Sequence, residues 1–217
     1  MSVITNICDL LDAQYGAKEW TGGLAILDEL IYTILSQNTS AANSDRAYNS
    51  LTERFEDWSA VASAPVDKVA EAIRSGGLAN IKAPRIQNIL RQVESRHGSM
   101  DLQWLAEKSD TEAVEYLLGF EGVGQKTAAC VLMFALGRPV LPVDTHVHRV
   151  AMRLGLIGKV SADAAHSLLG EIVPADRVYS FHINTVTHGR QVCHARSPKC
   201  SECVLNEVCA YYSNAST

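Results

Sequence analysis

Three sets of residues in this 217-residue chain have types and spacing that could do chemistry. One is a lysine behind a pair of glycines, in the run Leu118-Gly119-Phe120-Glu121-Gly122-Val123-Gly124-Gln125-Lys126-Thr127-Ala128. Gly122 and Gly124 flank one apolar residue, so the backbone there can take positive φ and approach a ligand closely. The exposed N–H groups at the start of the following helix then form an anion site, and a phosphate is its natural guest. Lys126 falls in the first turn of that helix. The helix start disfavours a cation, and burial disfavours it further, so more of the amine is neutral and able to attack a sugar C1′. A surface lysine touching phosphate is the plainer reading of the same position.

The second set is Pro142-Val143-Asp144-Thr145-His146-Val147-His148-Arg149-Val150. Asp144 suits a helix N-cap, just after a proline and before an apolar-periodic run. A capped carboxylate is also a rigidly held one, so a chemical role is compatible with the cap. The third set is Cys193, Cys200, Cys203 and Cys209, spaced C-x6-C-x2-C-x5-C. With no export signal, such clustering points to metal before disulfides. Zinc sites usually show two tight pairs. Only Cys200 and Cys203 form one here, so four thiolates in one compact loop suit a [4Fe–4S] cube better than zinc, with a disulfide pair third.

The elements that must hold these residues read as helices. Leu24 to Leu35 is apolar at helical period, and Ala47 to Phe55, Val66 to Ile73 and Ile86 to Val93 repeat the style, the last behind Pro84. Further helices are expected over Thr111 to Leu118, Lys126 to Leu136, Asp144 to Leu154, Ala162 to Ile172 and Val178 to His188. No alternating run calls for a strand. Hydrophobic residues make up 47% and charged residues 20%, a globular balance. No apolar run approaches the roughly 20 residues of a membrane span, and the first twelve residues lack a basic leader, so a cytoplasmic monomer is expected. The net charge of −5 argues against nucleic acid taken alone. Three basic segments qualify it, because only the contacting face matters: Lys82/Arg85/Arg91/Arg96, Arg149/Arg153 and Arg190/Arg196/Lys199.

Taken together, the cysteine spacing, the run Gly122-Val123-Gly124-Gln125-Lys126-Thr127-Ala128 and Val143-Asp144-Thr145-His146 resemble the endonuclease III family over nearly the whole chain. The aspartate stands eighteen residues beyond the lysine (144 − 126) in the family and here alike. The resemblance implies an all-α, two-lobed helix-hairpin-helix fold: residues 23–130 in a barrel-like lobe, residues 1–22 and 131–217 in a cluster-bearing lobe, and Lys126 and Asp144 facing the cleft. It implies a [4Fe–4S] cluster on the four cysteines. The expected activity is that of a bifunctional DNA glycosylase and abasic-site lyase, with Lys126 as the Schiff-base nucleophile and Asp144 stabilising the cationic sugar or moving a proton. The partner would be double-stranded DNA carrying a damaged base, such as an oxidised pyrimidine, or an abasic site.

Further DNA contacts are expected from the hairpin residues Gly122, Val123, Gly124 and Thr127. His146 and Arg149 would contribute from the aspartate's helix, and Arg190, Arg196 and Lys199 from around the cysteine loop. Gln37 and Asn38 would fill the gap left by a flipped base, while Leu78 would wedge into the duplex with Lys82 beside it. One departure falls on the base-facing segment. The family pattern L-S-x-Q-x-x-D has Asn38 at its glutamine place, Gln37 one residue early and Ala41 at its aspartate place. A monofunctional mismatch glycosylase and a non-catalytic iron–sulfur DNA-binding module are the alternatives.

Overall fold

The computed structural model describes residues 2–215, and among them every regular element is helical. No helix among these residues is long and apolar enough to cross a membrane. The chain divides into two compact units, residues 22–136 and residues 1–21 with 137–217. The division falls at Gly137 rather than at 130, because the helix after the hairpin continues through a buried apolar run to Leu136.

The central unit holds α2 (Ile26–Leu35), α3 (Ala41–Arg54), α4 (Trp58–Ser63), α5 (Val66–Ala72), α6 (Ala79–His97), α7 (Asp110–Leu118) and α8 (Gln125–Leu136). Helices α2 and α8 pack against each other, and both are buried along most of their length. Their apolar residues stand on nearly every face, as a helix in the middle of a core requires. Serine and aspartate caps open the outer helices: Ser40 for α3, Asp57 for α4, and the reciprocal Ser109/Glu112 capping box for α7. Helix α6 starts at Ala79, well before the expected start behind Pro84, which lies inside it. The amides of Ile81 and Lys82 already bond to the Leu78 carbonyl, so the helix forms ahead of the proline and forgoes the bond its nitrogen cannot make.

The second unit holds α1 (Val3–Tyr15), α9 (Thr145–Leu154), α10 (Ala162–Ile172), α11 (Val178–Gln191) and α12 (Ala210–Ala215). Helix α11 packs on both α1 and α9. The cysteine segment follows α11 with only short 3-10 turns, so side-chain ties must hold it.

Candidate active site and cysteine loop

In the central unit the hairpin forms between α7 and α8. The Val123 amide returns to the Phe120 carbonyl at 3.1 Å, and Gly122 takes φ +79°. A Cβ on Gly122 would lie 2.1 Å from the Arg85 side chain, so the glycine is needed twice over, for its φ and for this close approach. Val123 is buried as the turn's anchor, whereas Gly122 and Gly124 are exposed. Lys126 is the second residue of α8 and is half-buried. Thr127 is buried, and its hydroxyl accepts a hydrogen bond from Gln37 Nε2 at 3.3 Å.

The Gln37 amide also donates to the Gly122 carbonyl at 3.1 Å, while its Oε1 accepts from Arg85 at 3.4 Å. Gln37 therefore ties the loop after α2 to the hairpin, and its neighbour Asn38 is exposed at φ +56°. Leu78 is 50% exposed at φ +51°. An apolar, β-substituted residue held in the left-handed region at the surface is strained, and such strain concentrates at functional positions.

Lys82 corrects an expectation. It is 1% exposed, and its ammonium donates to the carbonyls of Leu35 and Gln37, both at 2.7 Å, and of Gly76 at 2.8 Å. An ammonium has three N–H donors, and all are spent inside the protein, so Lys82 has none to offer a phosphate. Glu29 is a residue the sequence reading passed over. It lies on the buried side of α2, and Thr33 donates to its Oε1 at 3.1 Å. Burial pushes its carboxyl up to about 7, while the Thr33 bond and the charge of Lys126 pull the other way. Its spacing to Ile26, Leu30 and Thr33 on the buried stripe was the available signal.

In the second unit Asp144 caps α9. Its Oδ1 accepts from the amides of His146 at 2.9 Å and Val147 at 2.8 Å, which leaves Oδ2 unused by the cap. The backbone before it is also held: His166 Nδ1 lies 3.0 Å from the Leu141 carbonyl, and His182 Nδ1 lies 2.9 Å from that of Pro142. Most of the donors of Arg149 are also turned inward. Its Nε donates to the Cys193 carbonyl at 3.0 Å, and Nη2 reaches the Gly189 carbonyl at 2.8 Å and His146 Nδ1 at 3.0 Å. A longer contact runs from Nη1 to Thr145 O at 3.4 Å. With its donors so committed, Arg149 is a tie between α9, α11 and the cysteine loop, and His146 is part of that tie. Arg153 acts similarly, on Cys193 Sγ at 3.2 Å, on the carbonyls of His194 and Ala195, and over the Tyr211 ring at 4.7 Å. Arg190, Arg196 and Lys199 are exposed.

All four cysteines line one pocket. Four thiols around one pocket can hold a group of several metal atoms. Burial pushes the Cys200 and Cys203 thiols up, and their neighbouring cysteines add to it. Four thiolates there need a cationic guest to balance them. His188, which burial pushes down to about 4, places Nε2 3.5 Å from Cys203 Sγ and Nδ1 2.9 Å from the Tyr15 hydroxyl.

Comparison with known proteins agrees with this geometry. The chain is 32% identical over 183 residues to endonuclease III of Thermotoga maritima, covering 84% of this chain and 82% of that one. It is 33% identical over 177 residues to the DNA glycosylase/AP lyase ROS1 of Arabidopsis thaliana, covering 73% of this chain. It spans 60% of the length of another Arabidopsis thaliana relative, 37% identical, and only 13% of ROS1. A solved non-covalent endonuclease III–DNA complex superposes with a TM-score of 0.83 at 26% identity, covering 100% of this chain and 99% of that one. Residues 193–209, from the first cysteine of the quartet to the last, match the iron–sulfur binding domain of endonuclease III, so the chain carries that family's [4Fe–4S] motif. Residues 31–175 match the HhH-GPD superfamily, and the chain belongs to that superfamily of base excision DNA repair proteins and is homologous to endonuclease III.

Proposed function

We propose that this chain is a bifunctional DNA glycosylase and abasic-site lyase that removes oxidised pyrimidines of the thymine glycol kind from double-stranded DNA. The observation that carries the reading is Lys126, an amine in the first turn of α8 directly behind the Gly122–Gly124 turn. The hairpin amides and the helix start hold a backbone phosphate, which sets the position of the sugar relative to the lysine. With the damaged base turned out of the stack, the Lys126 Nζ lone pair attacks C1′ as the bond from C1′ to the base breaks. The base leaves with the bonding electrons and takes up a proton. The attacking nitrogen gives up one proton, the C1′–O4′ bond of the sugar breaks with O4′ taking up a proton, and the nitrogen lone pair forms the C1′=Nζ bond of a protonated Schiff base. Removal of a C2′ proton then expels the 3′ phosphate by β-elimination. Asp144, held through Oδ1, uses Oδ2 to stabilise the cationic sugar or carry a proton.

Cys193, Cys200, Cys203 and Cys209 are the proposed ligands of the [4Fe–4S] cluster, which when bound supplies the positive charge that balances four thiolates. Arg149 and Arg153 hold the loop from the protein side. Arg190, Arg196 and Lys199 are left exposed around it for phosphates, so affinity should fall steeply with salt.

Borohydride trapping on duplexes with thymine glycol or an abasic site tests the reading. The wild-type chain should form a covalent adduct, and Lys126→Gln should form none. No adduct from the wild type, or an undiminished one from the variant, rejects it. Base release without any adduct identifies a monofunctional enzyme instead.

A further inference from the structure

We infer that Lys82 is a positioning residue for lesion recognition: its buried ammonium fixes the Gln37–Asn38 loop and the Gly77–Leu78 turn against each other. The inference rests on reading those two segments as duplex-facing. Lys82 lies one helical turn beyond Leu78 in α6, and its Nζ gathers three carbonyls from two separate segments. Leu35 is the last residue of α2, and Gln37 lies two residues on. Gly76 ends the 3-10 turn that leads into Gly77 and Leu78. Carbonyls at helix ends lack partners within the helix, and a buried one needs a donor. One cation that meets all three joins the segments at a single point, and a compact ammonium can do so where a planar guanidinium cannot.

What the clamp holds is strained. Asn38, Leu78 and Ser197 are the non-glycine residues with positive φ among those described, and the first two stand one and two residues past clamped carbonyls. Conformations of this kind persist only where their surroundings over-determine them. Asn38 and Leu78 are also exposed beside the clamp. From Gln37 the network continues through its side chain to the Gly122 carbonyl and Thr127. Loop, turn and hairpin are thus held in one arrangement by a group that itself has no donor left for DNA. Separation of the clamped segments would misplace the side chains that meet the opened duplex.

The test measures affinity for a duplex carrying a tetrahydrofuran abasic analogue and for the same duplex undamaged, in the holoprotein. Lys82→Met keeps the stem and removes the ammonium. It should reduce the preference for the damaged duplex about tenfold, the equivalent of 1.4 kcal/mol, while affinity for the undamaged duplex stays within about threefold. Equal losses on both duplexes, or an unchanged preference, overturn the inference, because a merely structural role weakens both together. Should Lys82→Met not fold, Lys82→Arg, which keeps the charge and changes its geometry, is read by the same ratio. Leu78→Ala and Asn38→Ala provide the control on the underlying reading. If neither lowers the preference, the reading of the two segments fails and takes the inference with it. If they lower it and Lys82→Met does not, the inference alone fails.

Discussion

Asp144 and Gln37 are held in opposite ways. Asp144 is fixed by its own helix, through amides two and three residues further on. Gln37 is fixed by partners from 45 to 90 residues away, at Lys82, Arg85, Gly122 and Thr127. A local cap forms wherever its helix forms and survives distant change. A long-range clamp exists only when the whole unit is packed, and it fails as a unit because its members share partners.

The contrast can be broken most strongly at Asp144. Asp144→Asn preserves a capping oxygen and removes the charge, so turnover should fall about 10²- to 10⁴-fold with little change in melting temperature. A parallel loss of stability would show that the carboxylate is structural. The next effect belongs to Glu29, in the long-range region. Its carboxyl is raised from 4.5 to about 7, so the folded state favours the protonated form. The stability this contributes is full below pH 4.5 and is lost as pH rises through 7. Glu29→Gln should remove that slope, worth up to about 3 kcal/mol across the window, in denaturant melts from pH 4 to 8.

Gly122→Ala should cost about 2 kcal/mol, because it forces a Cβ into positive φ and against Arg85. The same variant should weaken DNA affinity, since displaced Arg85 and Gln37 no longer support the hairpin; unchanged binding would separate the hairpin from the Gln37 network. The smallest effect isolates the cap itself. Asp144→Ala should be less stable than Asp144→Asn by about 1 kcal/mol, with equal loss of turnover. Melting curves of the two variants check it.

Legibility from sequence follows the same division. Asp144 as a cap, the Gly122–Gly124 turn and the cysteine spacing are short-range patterns, and each has a direct reading in the residues around it. The structure holds Asp144 in that cap and Gly122 at positive φ. Helix α6 starts earlier than expected because Pro84 suits a helix start, whereas the Leu78 carbonyl bonds begin the helix ahead of it. Lys82 was expected at phosphates because a cation in a basic run looks exposed, and nothing in the run shows the carbonyls of Leu35 and Gln37 that claim it. Glu29 was passed over since its burial depends on α8 packing over α2.

The amino-acid sequence by itself determined the family, the helical architecture and the cysteine motif, because these depend on residue type and short spacing. Only the tertiary structure decided which cations are free. An ammonium becomes a phosphate contact or an internal clamp according to whether unpaired carbonyls surround it. That depends on how segments tens of residues apart pack together.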